Sequence, residues 1–349
     1  MTYHIVTLAG DGIGPEIMQA GLEVLACVSQ KVGFSYETRA YDFGGAAIDS
    51  HGHPLPEETL KAAKSADAIL LAAIGSPQYD KAAIRPEQGL LALRKELDLF
   101  ANVRPVKLFE AIEHLSPLKN DRIRGVDFIV VRELTGGIYF GEHVLEADRA
   151  CDTNSYTAVE IERIMHKAFQ LARHRRNKVT SIDKQNVLAT SKLWRQVAEK
   201  VAKEYPDVIL EHQLVDSAAM TMITNPKRFD VLVTENLFGD ILSDESSVLS
   251  GTLGVMPSAS HSDNGPSLYE PIHGSAPDIA HKGIANPISM ILSVAMMLRE
   301  SFGEQKGAAM IEGAVEKALL DGILTADLGG NASTKEMTEA IIARLVSVR

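Results

Sequence analysis

An α/β protein with a largely parallel sheet is the fold class this sequence predicts, on three observations. Apolar runs of strand length alternate with amphipathic helical stretches along most of the chain. At 349 residues the chain exceeds one ordinary hydrophobic core, which suggests about two domains. A 45% hydrophobic composition supplies enough apolar side chains for a sizeable interior.

The candidate strands are HIVTLA (4–9), AILLAAI (68–74), DFIVVRE (127–133), NKVTSID (177–183), 207–214 and FDVLVTE (229–235). Helical periodicity marks 16–31, 156–176 and 191–205 between them, and three more helices, 287–301, 306–320 and 334–347, close the chain. No internal repeat or low-complexity linker appears, and sequence texture puts boundaries near 100 and 252.

LAGDGIGPE (8–16) joins the first strand to the first helix. Its glycines, Gly10, Gly12 and Gly14, give G-x-G-x-G, whereas a dinucleotide-binding Rossmann turn needs G-x-G-x-x-G. A carboxylate at Asp11 would also repel a pyrophosphate. A tight turn with Pro15 at the first helical position explains the loop at least as well.

A net charge of −11 argues against a nucleic-acid partner. The most basic run, ARHRRNK (172–178), reads as the solvated end of a helix. No apolar run reaches the roughly 18 residues of a membrane span, and the N-terminus lacks a signal-peptide pattern, so a cytoplasmic protein is expected. Cys27 and Cys151 form no framework and read as buried or inert thiols.

In NLFGDILSDE (236–245), Asp240 and Asp244 stand one helical turn apart, where like charges repel by a few tenths of a kcal/mol. A divalent ion such as Mg²⁺ or Mn²⁺ would turn that repulsion into attraction, with Asp216 as a third acid at a strand-to-helix junction. Spacing alone favours capping or solvated surface acids, because surface charge is common. Glu87, Leu90, Leu91 and Arg94 form one stripe of a helix within 85–100. Core-facing leucines between exposed charges is the plainer account; a pocket for an alkyl branch and a carboxylate is the other. Arg104 and Arg132, at strand ends, complete a set of three arginines able to clamp a dicarboxylate.

VRELTGGIYFG (131–141), VTSIDKQNVL (179–188), NLFGDILSDE, and LYEPIHGSAPDIA with the following ANP (268–287) resemble the metal-dependent β-decarboxylating dehydrogenases, most closely their isopropylmalate branch. The resemblance covers essentially the whole chain. It implies a two-domain α/β/α fold, not a Rossmann domain, with an interdomain active-site cleft. Residues 1–99 plus 252–349 would bind the cofactor; residues 100–251 would hold substrate and metal and dimerise through an arm near 137–155.

The activity implied is oxidation of the 2-hydroxyl of (2R,3S)-3-isopropylmalate by NAD⁺ and loss of the 3-carboxylate, giving 4-methyl-2-oxopentanoate in leucine biosynthesis. Relatives acting on D-malate, tartrate or homoisocitrate are the alternative. A Mg²⁺-dependent phosphohydrolase and a non-catalytic binding protein are readings from other classes.

By the same resemblance, Asp240 and Asp244 of one subunit and Asp216 of its partner hold Mg²⁺ or Mn²⁺ in a homodimer with shared active sites. Lys184 is the base and Tyr139 the acid. Arg94, Arg104 and Arg132, with Asp216, bind the small dicarboxylate substrate. Glu87, Leu90 and Leu91 face the isopropyl group and nicotinamide, with Val187 entering from the other subunit. NAD would be held by Ser76, Glu87, Gly274, Ser275, Ala276, Pro277, Asp278, Ile279 and Asn286, with Asp278 disfavouring a 2′-phosphate. Three departures from the family pattern stand out: Ala9 in place of proline, a different arm after Gly141 (EHVLEADRACDT), and His281 in place of glycine. A left-handed backbone at His281 would cost roughly 1–2 kcal/mol.

Overall fold

The computed structural model describes residues 2–345, which cluster into two compact units. The first comprises Met1–Leu99, Phe109–Leu115 and Thr252–Arg349, and the second Phe100–Leu108 and Ser116–Gly251. Residues 109–115 thus pack with the first unit although the second surrounds them in sequence.

The first unit opens with β1 (Thr2–Gly10), α1 (Gly14–Val32), β2 (Ser35–Ala40), α2 (Gly45–His51), α3 (Glu57–Ser65), β3 (Ala68–Ala73) and α4 (Pro86–Glu96). The second contains β4 (Ala101–Lys107), α5 (Asn120–Ile123), β5 (Asp127–Glu133), β6 (His143–Leu145), β7 (Ala150–Asp152), α6 (Ala158–Arg173), β8 (Lys178–Asp183), α7 (Ala189–Ala202), β9 (Ile209–Leu214), α8 (Val215–Thr224), β10 (Val231–Thr234) and α9 (Asn236–Ser250). The chain then returns to the first unit through β11 (Pro257–His261), β12 (Ser267–Pro271), α10 (Ile288–Glu300), α11 (Gln305–Leu320) and α12 (Thr334–Ala343). Residues 346 and 347 of the predicted last helix lie outside the described residues.

Strands of the first unit run in the order β2-β1-β3-β12-β11. All neighbours are parallel except β11 with β12. Central strand β3, AILLAA, is buried at every position, the pattern of a parallel strand covered on both faces. Helix α10 is buried from Ile288 to Leu298 and packs on α1, α11, β11 and β12. The second unit orders its strands β4-β5-β10-β8-β9, with only β4 and β5 antiparallel. Trp194 of α7 anchors its core, fully buried with Nε1 donating to Ser181 Oγ at 3.1 Å. β6 and β7 form a separate two-stranded hairpin inside the predicted arm.

Several expectations need correction. Arg104 lies in the middle of β4, not at its end. Pro15 is the second residue of α1. Cys151 is exposed on β7 rather than buried. The basic run is a solvated helix end only in part: Arg173, His174 and Arg176 are exposed at the end of α6, whereas Arg175 turns inward. Arg175 bridges Asp127 at 2.7 Å and Asp230 at 2.9 Å, and Asp230 is itself buried. Two neighbouring apolar strands, β5 and β10, begin there, and the guanidinium neutralises the acids at their starts. Among the described residues no helix is long and apolar enough to cross a membrane.

Candidate active site

In the first unit the glycine loop is built around Asp11. Its buried carboxylate accepts hydrogen bonds from the backbone N–H groups of Gly45 (2.9 Å), Ala46 (2.9 Å) and Gly75 (2.8 Å). Gly12 has φ +58, and a Cβ there would stand 2.0 Å from Ser275 O. Ile13 N donates to the same carbonyl at 2.8 Å. The loop therefore seats the 274–279 segment by close backbone approach, the use for which glycine is suited.

A cavity of about 560 Å³ lies beside that contact. Gly274, Ala276, Ile279 and Asn286 line it, as do Ile13, His273, Ile284 and Asp327, which sequence reasoning missed. Ser275, Pro277 and Asp278 are not among its walls; Ser275 Oγ donates to Gly75 O at 2.6 Å. Ser76 begins a short turn at Pro77–Tyr79 away from these residues in sequence. Burial pulls the His273 imidazole below its ordinary pKa, so it is neutral, and its buried Nε2 has no partner. His273 stands inside the EPIHGSAPD stretch, and that position was its one available signal. Glu16 of α1 accepts from Ala285 N (3.0 Å) and Thr334 Oγ1 (2.8 Å), fixing the chain next to Asn286. His281 has φ +62, and Ala276 has φ +40, so both carry the left-handed strain anticipated at 281.

The α4 stripe divides. Leu90 is half-buried against the core, whereas Leu91 is 50% exposed and Glu87 is exposed. Arg94 Nη2 holds Glu270 Oε1 at 3.0 Å, while its buried Nε has no partner.

In the second unit α9 carries the paired acids. Gly239 precedes them because a Cβ there would lie 2.6 Å from Arg132 Cγ. Arg132 crosses this gap, donates from Nε and Nη2 to Asn236 Oδ1 (3.0 and 2.8 Å), and binds Asp240 through Nη1. Arg104 Nη1 holds Asp244 at 3.1 Å and Ser243 Oγ at 2.9 Å. Each acid thus has its own cation, which offsets their mutual repulsion. Tyr139 donates to Asp240 Oδ2 at 2.8 Å. Partial burial and then that hydrogen bond raise the phenol pKa, so its proton is retained at neutral pH.

Lys184 and Asp216 form a second cluster, with Nζ 2.6 Å from Oδ1. The lysine's hydrogen bond holds the Asp216 carboxyl below its ordinary pKa. Val187, three residues on, is 64% exposed. Asp216 is not gathered with Asp240 and Asp244 within one chain. Among the described residues, the group of three potential ligands that does converge is Glu162, His166 and Glu204. Lys200 pairs with Glu162 and Tyr205 bonds His166, so two of the three already have protein partners.

The fold matches solved α/β dehydrogenases. It superposes on isocitrate dehydrogenase from Methylococcus capsulatus with a TM-score of 0.87 at 38% identity, covering 98% of this chain and 99% of that one. A β-decarboxylating dehydrogenase from Thermococcus kodakarensis gives 0.84 at 36% identity, covering 98% and 96%. The isocitrate/isopropylmalate dehydrogenase family model matches residues 4–341, and the chain belongs to that family. It is 77% identical over 341 residues (98% of this chain, 99% of the relative) to a protein of Streptococcus mutans named 3-isopropylmalate dehydrogenase. A protein of the same name from Lactococcus lactis is 70% identical over 98% of this chain and 99% of its own length.

Proposed function

We propose that this chain oxidises and decarboxylates 3-isopropylmalate in leucine biosynthesis, using NAD⁺ and Mg²⁺ or Mn²⁺ as a homodimer. The observation that carries the activity is full-length identity of 70–77% to curated 3-isopropylmalate dehydrogenases. The site residues support the chemistry in detail.

Asp240 and Asp244 fit a hard cation. They are oxygen donors one turn apart, partly exposed, and held only by side chains that can exchange partners. A bound ion would supply Lewis-acid polarisation of the substrate, and a bound dinucleotide would supply the hydride acceptor. Arg104 and Arg132 would pass from these acids to the substrate carboxylates, for which a guanidinium fork is well shaped. Arg94, paired here with Glu270, would join them as the third cation. Lys184 Nζ takes the 2-hydroxyl proton, and Tyr139 Oη returns a proton to the carbon that lost CO₂.

Leu90 and Leu91 favour a branched alkyl group over a third carboxylate, which would be costly to desolvate against them. The cavity between Ile13 and Asn286 receives the adenosine, with His273 as an acceptor. Asp278 selects NAD over NADP by repelling a 2′-phosphate.

Dimerisation is supported by exposed apolar residues on adjacent helices, Met220 of α8 and Ile241 and Val248 of α9. The separate Lys184–Asp216 cluster also supports it, since those residues would then serve the neighbouring subunit's site.

A panel of 2-hydroxy acids with NAD⁺ and Mg²⁺, read by NADH absorbance, tests the proposal. 3-Isopropylmalate should give the highest kcat/KM; D-malate ahead of it by about tenfold, 1.4 kcal/mol in transition-state terms, would overturn the specificity.

A further inference from the structure

Helix α9 is capped by a carboxylate that the chemistry above does not use. Glu235 is 5% exposed, and its Oε1 accepts a 3.0 Å hydrogen bond from Phe238 N. Its other oxygen, Oε2, is buried without a partner, a costly state for an ionised acid. Glu235 also lines a small cavity with Thr190, Ser191 and Trp194 of α7. Ser191 Oγ accepts from Lys184 N at 3.0 Å, and its hydroxyl still carries a proton to donate. One acidic side chain therefore stands between the helix of the paired aspartates and the loop of the lysine.

We propose that Glu235 is a positioning residue for this reaction, a cap that holds the start of α9 on one side and faces the Ser191–Lys184 loop across the small cavity on the other. The inference rests on the function proposed above. Asn236, next to Glu235, is the acceptor for Arg132, which in turn holds Asp240. A change in the grip on the first turn of α9 thus reaches the ligand pair through one rigid helix.

Burial, the largest influence, pushes the Glu235 carboxyl up to about 7. The charged groups bearing on it are Glu133 and Arg132 of β5, which respectively raise and lower its pKa. Tyr156, whose hydroxyl donates to Glu133, and Tyr139 feel its charge in turn. The α7 side of the cavity offers neutral groups. Ionised, Glu235 is a stronger cap at a helix N-terminus and helps keep the Tyr139 phenol protonated. Protonated, it is a weaker cap whose hydroxyl can donate into the cavity.

The test is steady-state kinetics of the full-length enzyme with NAD⁺, Mg²⁺ and 3-isopropylmalate, from about pH 6 to about pH 9. Glu235→Gln keeps an acceptor for Phe238 N but cannot ionise. Its kcat should match wild type at the acid end and fall behind by about threefold or more at the alkaline end, with KM for 3-isopropylmalate unchanged. A Gln-to-wild-type ratio constant across the range overturns the proposal. Difference infrared spectra should show a protonated-carboxyl band in wild type that titrates near neutrality and is absent from Glu235→Gln; no such band also overturns it. Should Glu235→Gln fail to fold, Ser191→Ala removes the cavity hydroxyl and should move the wild-type pH step, and an unmoved step counts against the proposal. A wild type that leaves 3-isopropylmalate untouched would instead refute the function, a result distinct from an active wild type with a parallel Gln profile.

Discussion

Two groups of aspartates in this molecule show how the partner of a carboxylate decides its use. Asp11, in the glycine loop, is 8% exposed and accepts from three backbone N–H groups belonging to two other segments, the start of α2 and the turn after β3. Those donors cannot leave without unfolding the loop, so the charge is permanently committed to structure. Asp240 and Asp244 are held instead by the arginine side chains of β4 and β5. Those partners are side chains rather than amides of the fold, and Asp244 keeps most of its carboxylate exposed. The glycine-rich loop looks like a cofactor motif and serves as scaffold, while the acid pair looks like ordinary surface charge and is the pair proposed to hold the cation.

The comparison can be broken at either end. The largest effect is expected from Asp240→Asn, which removes a ligand charge but leaves an acceptor for Arg132. Loss of several kcal/mol of transition-state stabilisation corresponds to roughly a thousandfold fall in kcat/KM, with thermal stability near that of wild type. A variant with normal turnover would show that the pair is not the metal floor.

Asp11→Ala should do the reverse. Three orphaned N–H groups should lower unfolding free energy by about 3 kcal/mol in urea titrations. Stability unchanged by that substitution would remove Asp11 from the scaffold.

Glu235 lies between these extremes, a carboxylate with one backbone donor and one bare oxygen. Its folded pKa of about 7 exceeds the ordinary value of 4.5, so the folded state keeps a proton that the unfolded chain releases. Its contribution is therefore fully present at acid pH and is lost as pH rises through that window. Glu235→Gln should gain stability relative to wild type across it, by at most about 3 kcal/mol, as denaturation midpoints at several pH values would show. A pH-independent difference would mean the group does not titrate there.

The smallest effect expected is at Leu91. Being half-exposed, its replacement by alanine should barely alter the melting temperature. It should lower the preference for 3-isopropylmalate over D-malate by about tenfold, measured as a ratio of kcat/KM values. An unchanged ratio would leave Leu90 alone as the alkyl contact.

Much of this was legible in the linear chain. Strands such as 68–73 and helices such as α1 and α6 follow from uninterrupted apolar runs and helical periodicity, which are local properties. Exposed β2, SYETRA, with one polar residue after another, gives no such signal and forms because β1 offers it a parallel edge. The pairing of Arg175, within the basic run at 172–178, gave no signal for a related reason, since Asp127 and Asp230 lie far from it in sequence. Spacing alone left Asp240 and Asp244 as surface acids, and only their long flanking motifs pointed to a metal.

Residue type and order, then, determined the α/β class, the family, and which acids, arginines and leucines were worth attention, because those signals reside in short windows. Tertiary structure alone decided that Arg132 and Arg104 neutralise the acid pair, that Asp11 is sealed by three amides, and that Glu235 is left with an unpaired oxygen. Each of these depends on groups from distant segments meeting within hydrogen-bond range, and in a buried setting that meeting sets which charges are held fast and which remain free to exchange.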